Sequence, residues 1–224
     1  MITVLFLLLF AFCGTQNLYC KSKIDNGQVV LSKKLNLASQ LVRANTIYII
    51  KDDFDLNDPK GENPITIPTS CALQFKGGHI NNGVLVGQDT QIDASLTKIF
   101  GDEISLVGTW NVSEAYPEWF GAKGDGITDD REALQSAINS FVSIKLCPKT
   151  YLCNNVLKVG DNRSLFGYGS TLKCLVEGRN QLEIIGNNTF IKGVTFDNIA
   201  KGYPNYGYDN GGKNSNNIVY NHSM

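Results

Sequence analysis

The sequence predicts an all-β fold: a solenoid of short stacked strands, closed at its start by a single helix. Three observations carry that reading. The first is a turn, Trp119-Phe120-Gly121-Ala122-Lys123-Gly124-Asp125-Gly126-Ile127-Thr128-Asp129-Asp130, running straight into Arg131-Glu132-Ala133-Leu134-Gln135-Ser136-Ala137-Ile138. The second is a series of brief alternating segments on both sides of that turn. The third is an internal repeat, in which residues 162–167 and 188–193 align at an offset of 26, with Leu165 over Ile191 and Gly167 over Gly193. A repeat of this length, built from short strands and Asn/Gly turns, is one coil of a β-solenoid.

The chain opens on residues 2–12, which are apolar except for Thr3. That run is too short to span a bilayer and matches the apolar region of a signal peptide. Ala11-Phe12-Cys13 offers a cleavage step, whereas a lipoprotein reading at Cys13 fits poorly behind the bulky Phe12. Residues 1–20 are therefore expected to be a signal peptide. The protein is expected to be secreted or held at a cell surface, in the periplasm or on the outer surface of a bacterium, with no stable membrane span.

Residues 21–115 read as a β-rich lead-in. Residues 31–45 suggest a marginal helix, and Ile47-Tyr48-Ile49-Ile50 a strand. The acidic run Asp52-Asp53-Phe54-Asp55-Leu56-Asn57-Asp58 lacks the glycine and terminal glutamate of a calcium loop and reads as a solvated turn. From Ile65 short segments follow at close intervals: Ile65-Thr66-Ile67, Ala72-Leu73-Gln74-Phe75, Gly83-Val84-Leu85-Val86, Thr90-Gln91-Ile92-Asp93 and residues 104–110. Each is too short to bury a face alone, so they must stack.

In the turn, Gly121, Gly124 and Gly126 permit backbone that other residues adopt only with strain. Asp129 is placed to cap the helix, and Glu132 three residues on gives a capping-box spacing. Leu134, Ala137, Ile138 and Phe141 form one apolar stripe at helical spacing.

The segment FGAKGDGITDD, its helix and the following Ile144-Lys145-Leu146-Cys147-Pro148-Lys149-Thr150-Tyr151-Leu152 resemble the pectate-lyase-like right-handed parallel β-helix family. That family includes rhamnogalacturonase-like and epimerase-like members and phage tail-spike proteins. The likeness covers residues 116–224, which it implies are the N-terminal part of such a domain. One departure is visible: the P-x-G step of the family reads Pro148-Lys149-Thr150, while Gly167-Tyr168-Gly169 supplies the later turn. Residues 216–220 begin a third copy of the repeat, and Met224 falls inside it, so the chain reads as a fragment.

The composition narrows the functional classes. The 224 residues carry a net charge of −1, which points to neither nucleic acid nor an anionic membrane. Cys71, Cys147, Cys153 and Cys174 lie in apolar runs and read as small core residues, with a Cys147–Cys153 disulfide or a metal site as the competing readings. His79 and His222 have no partner at ligand spacing. No cofactor is identified, and Ca2+ is the one candidate kept open.

The carboxylates Asp125, Asp129 and Asp130 form the densest acidic cluster. They could hold calcium or act as acid and base. They could equally brace the turn and cap the helix, and the resemblance favours this structural role. Substrate-contact candidates are Asp197, at the end of the strand Val194-Thr195-Phe196, together with Tyr203, Tyr206, Tyr208 and Asp209 in a glycine- and tyrosine-rich insertion. No catalytic residue can be assigned. The resemblance implies a polysaccharide partner, with the chain part of a polysaccharide lyase or glycoside hydrolase acting on acidic or pectin-like glycan. The alternative is a non-catalytic glycan-binding or adhesion module, including a tail-spike-type receptor binder. A monomer is expected, or a trimer if the protein is spike-like.

Overall fold

The computed structural model describes residues 27–176, 181–198 and 218–220. The expected signal peptide and the insertion carrying Tyr203, Tyr206, Tyr208 and Asp209 lie outside them, as does His222. The described chain is all-β in character, with strands in parallel sheets and few helices.

The first part contains β1 (Gly27–Val30), α1 (Leu37–Gln40), β2 (Thr46–Ile50), β3 (Phe54–Asp55), β4 (Ile65–Thr66), β5 (Ala72–Phe75), β6 (Ile80–Asn81), β7 (Gly83–Asp93) and β8 (Ile104–Trp110). One sheet runs β1-β2-β5-β7-β4 with β8 added on β7, and β3 pairs with β6. The helix expected over 31–45 shrinks to the single turn of α1. Gln40 folds back to accept from the Ser32 N–H at 2.8 Å and donate to its carbonyl at 3.0 Å, closing a loop where a second helical turn would form. The two segments expected at 83–86 and 90–93 form one strand that turns a corner. Its first half pairs with β8, Asp89 takes φ 55°, and residues 91–93 pair with β5.

The second part contains a 3₁₀ turn (Pro117–Phe120), β9 (Asp125–Asp129), α2 (Arg131–Ser140), β10 (Ser143–Lys145), β11 (Thr150–Leu152), β12 (Leu157–Val159), β13 (Ser164–Cys174), β14 (Leu182–Ile184), β15 (Phe190–Asn198) and β16 (Ile218–Tyr220). The chain alternates between two sheets. From β11 it passes to β12, then β13, β14 and β15; β11, β13 and β15 lie in one sheet, β12 and β14 in another. Parallel strands need a crossover connection, and here strands of the other sheet supply it where a helix more often would.

The register follows the repeat read from sequence as far as Phe166 and then shifts, Ser170 pairing with Val194, so the ladder does not set Gly167 opposite Gly193. Ser164 pairs with Phe190, Leu165 with Ile191 and Phe166 with Lys192. One difference concerns the third copy. β16 pairs with β14, Leu182 opposite Ile218, and so extends the sheet of β12 and not that of β13.

Alternation sorts these rows into inside and outside. Ile144 and Leu165 are buried, as are Tyr151 and Leu172, and Leu157 stacks on Leu182. One apolar cluster runs through both parts of the chain, from Leu31 to Ile184. Its centre is aromatic: the Phe141 ring lies 6.2 Å from Trp110, 6.0 Å from Trp119 and 6.2 Å from Phe120. Leu134, Ala137 and Ile138 bury the inner face of α2 against this cluster, as its stripe predicts. Cys71, Cys147, Cys153 and Cys174 are free thiols, and all but Cys147 are buried.

Candidate functional site

The turn before α2 organises its carboxylates differently from expectation. The helix cap is Asp130, one residue later than Asp129, and its side chain makes no capping bond. Its carboxylate points back instead, accepting from the Lys123 N–H at 2.6 Å and the Gly124 N–H at 2.9 Å. Asp129 accepts from the Arg131 N–H at 3.1 Å and from the Asn154 N–H on the neighbouring segment. Glu132 forms no capping box with Asp129; it pairs with Arg131.

Asp125 closes its own turn, taking the Ile127 and Thr128 N–H groups on one oxygen and the Thr128 hydroxyl on the other. Gly121, Gly124 and Gly126 stand at φ 98°, 63° and 72°, a left-handed backbone that other residues adopt only with strain.

These environments separate the acids. Hydrogen bonds from Thr128 and Ile127 hold Asp125 below the ordinary aspartate range. Burial pushes Asp130 up, partly offset by the Lys123 and Gly124 donors. All three aspartates are engaged by backbone donors, which is the arrangement of a brace. Among the described residues no group of three or more His, Cys, Asp or Glu side chains could hold a metal ion.

Beside this turn lies a buried polar cluster that sequence reading missed. Glu118, 3% exposed, is carried inward by the 3₁₀ turn, where Pro117 presets the backbone. Its Oε1 accepts from the Tyr151 hydroxyl at 2.8 Å and the Lys149 ammonium at 2.9 Å, while Oε2 has no partner. The Tyr151 oxygen accepts in turn from the Cys147 N–H at 3.0 Å. Burial, then Glu118, pushes the Tyr151 phenol far up, so it remains a donor. The hydrogen bond to Glu118 raises Lys149. Lys149 lies in the Pro148-Lys149-Thr150 step and Tyr151 directly after it, so this short stretch carries both partners of Glu118.

Two further features are exposed. His79 Nδ1 lies 2.7 Å from Asp53 Oδ1, a contact 26 residues apart in sequence that no local spacing reveals. On the outer face of β13 and β15, Phe166 and Phe190 form an aromatic pair, and Tyr168 lies beside Lys192, the cross-strand partner of Phe166. The Phe166 and Phe190 rings are 5.6 Å apart and tilted by 51°, and Lys192 Nζ stands 5.8 Å from the Tyr168 ring centre. Lys145, paired across the strands with Phe166, bonds Glu114 at 2.8 Å. The sequence contained the signal: residues 164, 166, 190 and 192 are the outward positions of the repeat.

Asp197 is exposed at the end of β15, and its carbonyl accepts from the Gln181 side-chain amide at 2.7 Å. It sits beside Lys173 in the parallel register. The structure does not bring it together with the carboxylates of the turn. No helix among the described residues is long and apolar enough to cross a membrane.

Over 44 residues the chain is 50% identical to "Depolymerase 1, capsule K30/K69-specific" of Klebsiella phage K5-2. That stretch is 18% of this chain and 6% of the phage protein, so the chain spans only a small part of that relative. No family model matches the chain. No solved structure matches it.

Proposed function

We propose that this chain is part of an extracellular protein directed at bacterial surface polysaccharide, built as a right-handed parallel β-helix of the pectate-lyase-like kind. The observation that carries the reading is the 50% identity over 44 residues to a phage capsule depolymerase. The parallel pairing of short strands among the described residues supports the same architecture, in which residues 21–115 are the lead-in and 116–224 the start of the helical column. Fold alone does not carry function, and the sugar must be recognised by specific side chains.

Within that reading, the described residues favour recognition over cleavage. Glycosidic hydrolysis needs two carboxyl groups free to act on either side of one bond. Asp125, Asp129 and Asp130 instead accept backbone hydrogens, and Glu118 is buried under Lys149 and Tyr151. The proposed role is then glycan binding, and a lyase or hydrolase reading would need groups other than these four carboxylates. Asp197 and the tyrosines 203, 206 and 208 with Asp209 remain the substrate contacts proposed from sequence.

The test is to present purified protein with a panel of immobilised capsular polysaccharides and to measure both binding and polymer length. Saturable binding without shortening is the expected result. Shortening of any polymer would move the chain to the enzyme class, and no binding to any member would overturn the reading.

A further inference from the structure

We infer that the outer face formed by Tyr168, Phe166, Phe190 and Lys192 is a binding platform for an acidic sugar unit; the inference rests on the polysaccharide reading above. The placement follows from the register. In the row Ser143, Ser164, Phe190 and the row Lys145, Phe166, Lys192, every side chain belongs to the outward set, because the row between them, Ile144, Leu165, Ile191, faces the core. Two outward rows of adjacent coils therefore put Phe166 and Phe190 on neighbouring strands with Lys192 beside them.

The chemistry is selective. Tyr168 is 62% exposed and Phe190 49%, so both rings are open to a ligand. Their carbon faces offer flat apolar area of the kind that packs on the C–H face of a pyranose ring. The tilt of 51° between Phe166 and Phe190 opens a shallow angle between their rings. Charge sets the class of sugar. Glu114 already neutralises Lys145, whereas Lys192 pairs with no carboxylate among the described residues and lies over the Tyr168 ring. A sugar stacked on Tyr168 or Phe190 would bring its own carboxylate to that ammonium, a charge-assisted contact.

Size argues against a protein partner. A covered aromatic side chain buries roughly 150–250 Å², so three rings that are already partly buried offer well under the ~800 Å² that each side of a stable protein interface needs. One or two sugar units fit that area.

The experiment uses the full chain and its Tyr168→Ala, Phe190→Ala and Lys192→Gln variants on acidic and neutral capsular polysaccharides, with circular dichroism and melting as folding checks. Both aromatic variants are expected to lose tenfold or more in affinity. Lys192→Gln is expected to lose affinity for acidic polymer only, and to weaken the salt dependence. Wild-type binding retained within twofold in all three folded variants would overturn the platform while leaving the polysaccharide reading intact. Equal loss on neutral polymer with Lys192→Gln would overturn the acidic class. Wild-type protein that binds no polymer would sink the polysaccharide reading itself. If sedimentation shows oligomers that the aromatic variants dissolve, the face joins copies of the chain and the inference fails.

Discussion

Tyr151 and Glu118, 33 residues apart in sequence, meet in the interior with the phenol donating to Oε1 at 2.8 Å. Each is almost wholly buried, and the second carboxylate oxygen of Glu118 has no partner. The carboxylate is thus held by two donors, Tyr151 and Lys149, both from the segment that follows α2. Removing one leaves a buried carboxyl group short of hydrogen bonds. Tyr151→Phe is expected to destabilise the protein by about 1–3 kcal/mol, the cost of an unsatisfied buried group. Urea denaturation measures it, and an unchanged midpoint would mean that Tyr151 contributes nothing to holding Glu118.

Asp125 and Asp130 should titrate on opposite sides of the ordinary aspartate value of 3.8. Asp125 is depressed, so its contribution to stability is present above that value and is lost as pH falls through its lower, folded-state midpoint. Asp130 is raised, so the folded state binds its proton more readily. Its term therefore favours folding increasingly as pH falls from its raised midpoint toward 3.8. Carbon-13 titration of the two side-chain carboxyls reads the order directly, and a lower midpoint for Asp130 than for Asp125 would contradict burial as the dominant influence on Asp130.

Gly108 stands at φ 82° directly opposite Gly87, and a Cβ placed on it would lie 2.2 Å from the Gly87 carbonyl oxygen. Gly108→Ala must displace backbone of the adjacent strand as well as adopt a strained φ. A loss of roughly 2 kcal/mol or more in thermal or chemical denaturation is expected, since strain of this kind alone costs about 1–3 kcal/mol.

Asp53 and His79 touch at 2.7 Å, but 64% and 37% of their side chains are exposed. Water screens such a pair, so Asp53→Ala is expected to change stability by less than about 1 kcal/mol. A larger loss in a denaturation curve would give this contact a structural weight that its exposure does not predict.

Repetition made part of the fold legible. The pairing of Leu165 with Ile191 appears in the sequence because each strand follows a left-handed Asn corner, Asn162 and Asn188, at the same offset of 26. The first part hides the same order, since its coils differ in length. Ser70 meets Asp89 across 19 residues, whereas Asn82 meets Asp55 across 27, so no single offset aligns them. The helix start was misread by one residue because two adjacent aspartates competed for the cap. Asp129 is drawn to Arg131 and Asn154 and Asp130 to Lys123 and Gly124, a choice fixed by how the turn folds back. Glu118 escaped notice because its partners lie beyond the helix. The aromatic face does not show in the apolar rungs, because Phe166, Phe190 and Lys192 occupy outward positions of the repeat.

The ring of Phe141, wedged among Trp110, Trp119 and Phe120, limits how nature or a protein engineer could recombine this molecule. A chimera joined at residue 116 would keep Phe141 but exchange Trp110 for whatever the donor supplies, leaving the seam mismatched on one side. Workable splice points lie upstream of β8 or downstream of Phe141, where all four rings stay on one side of the seam.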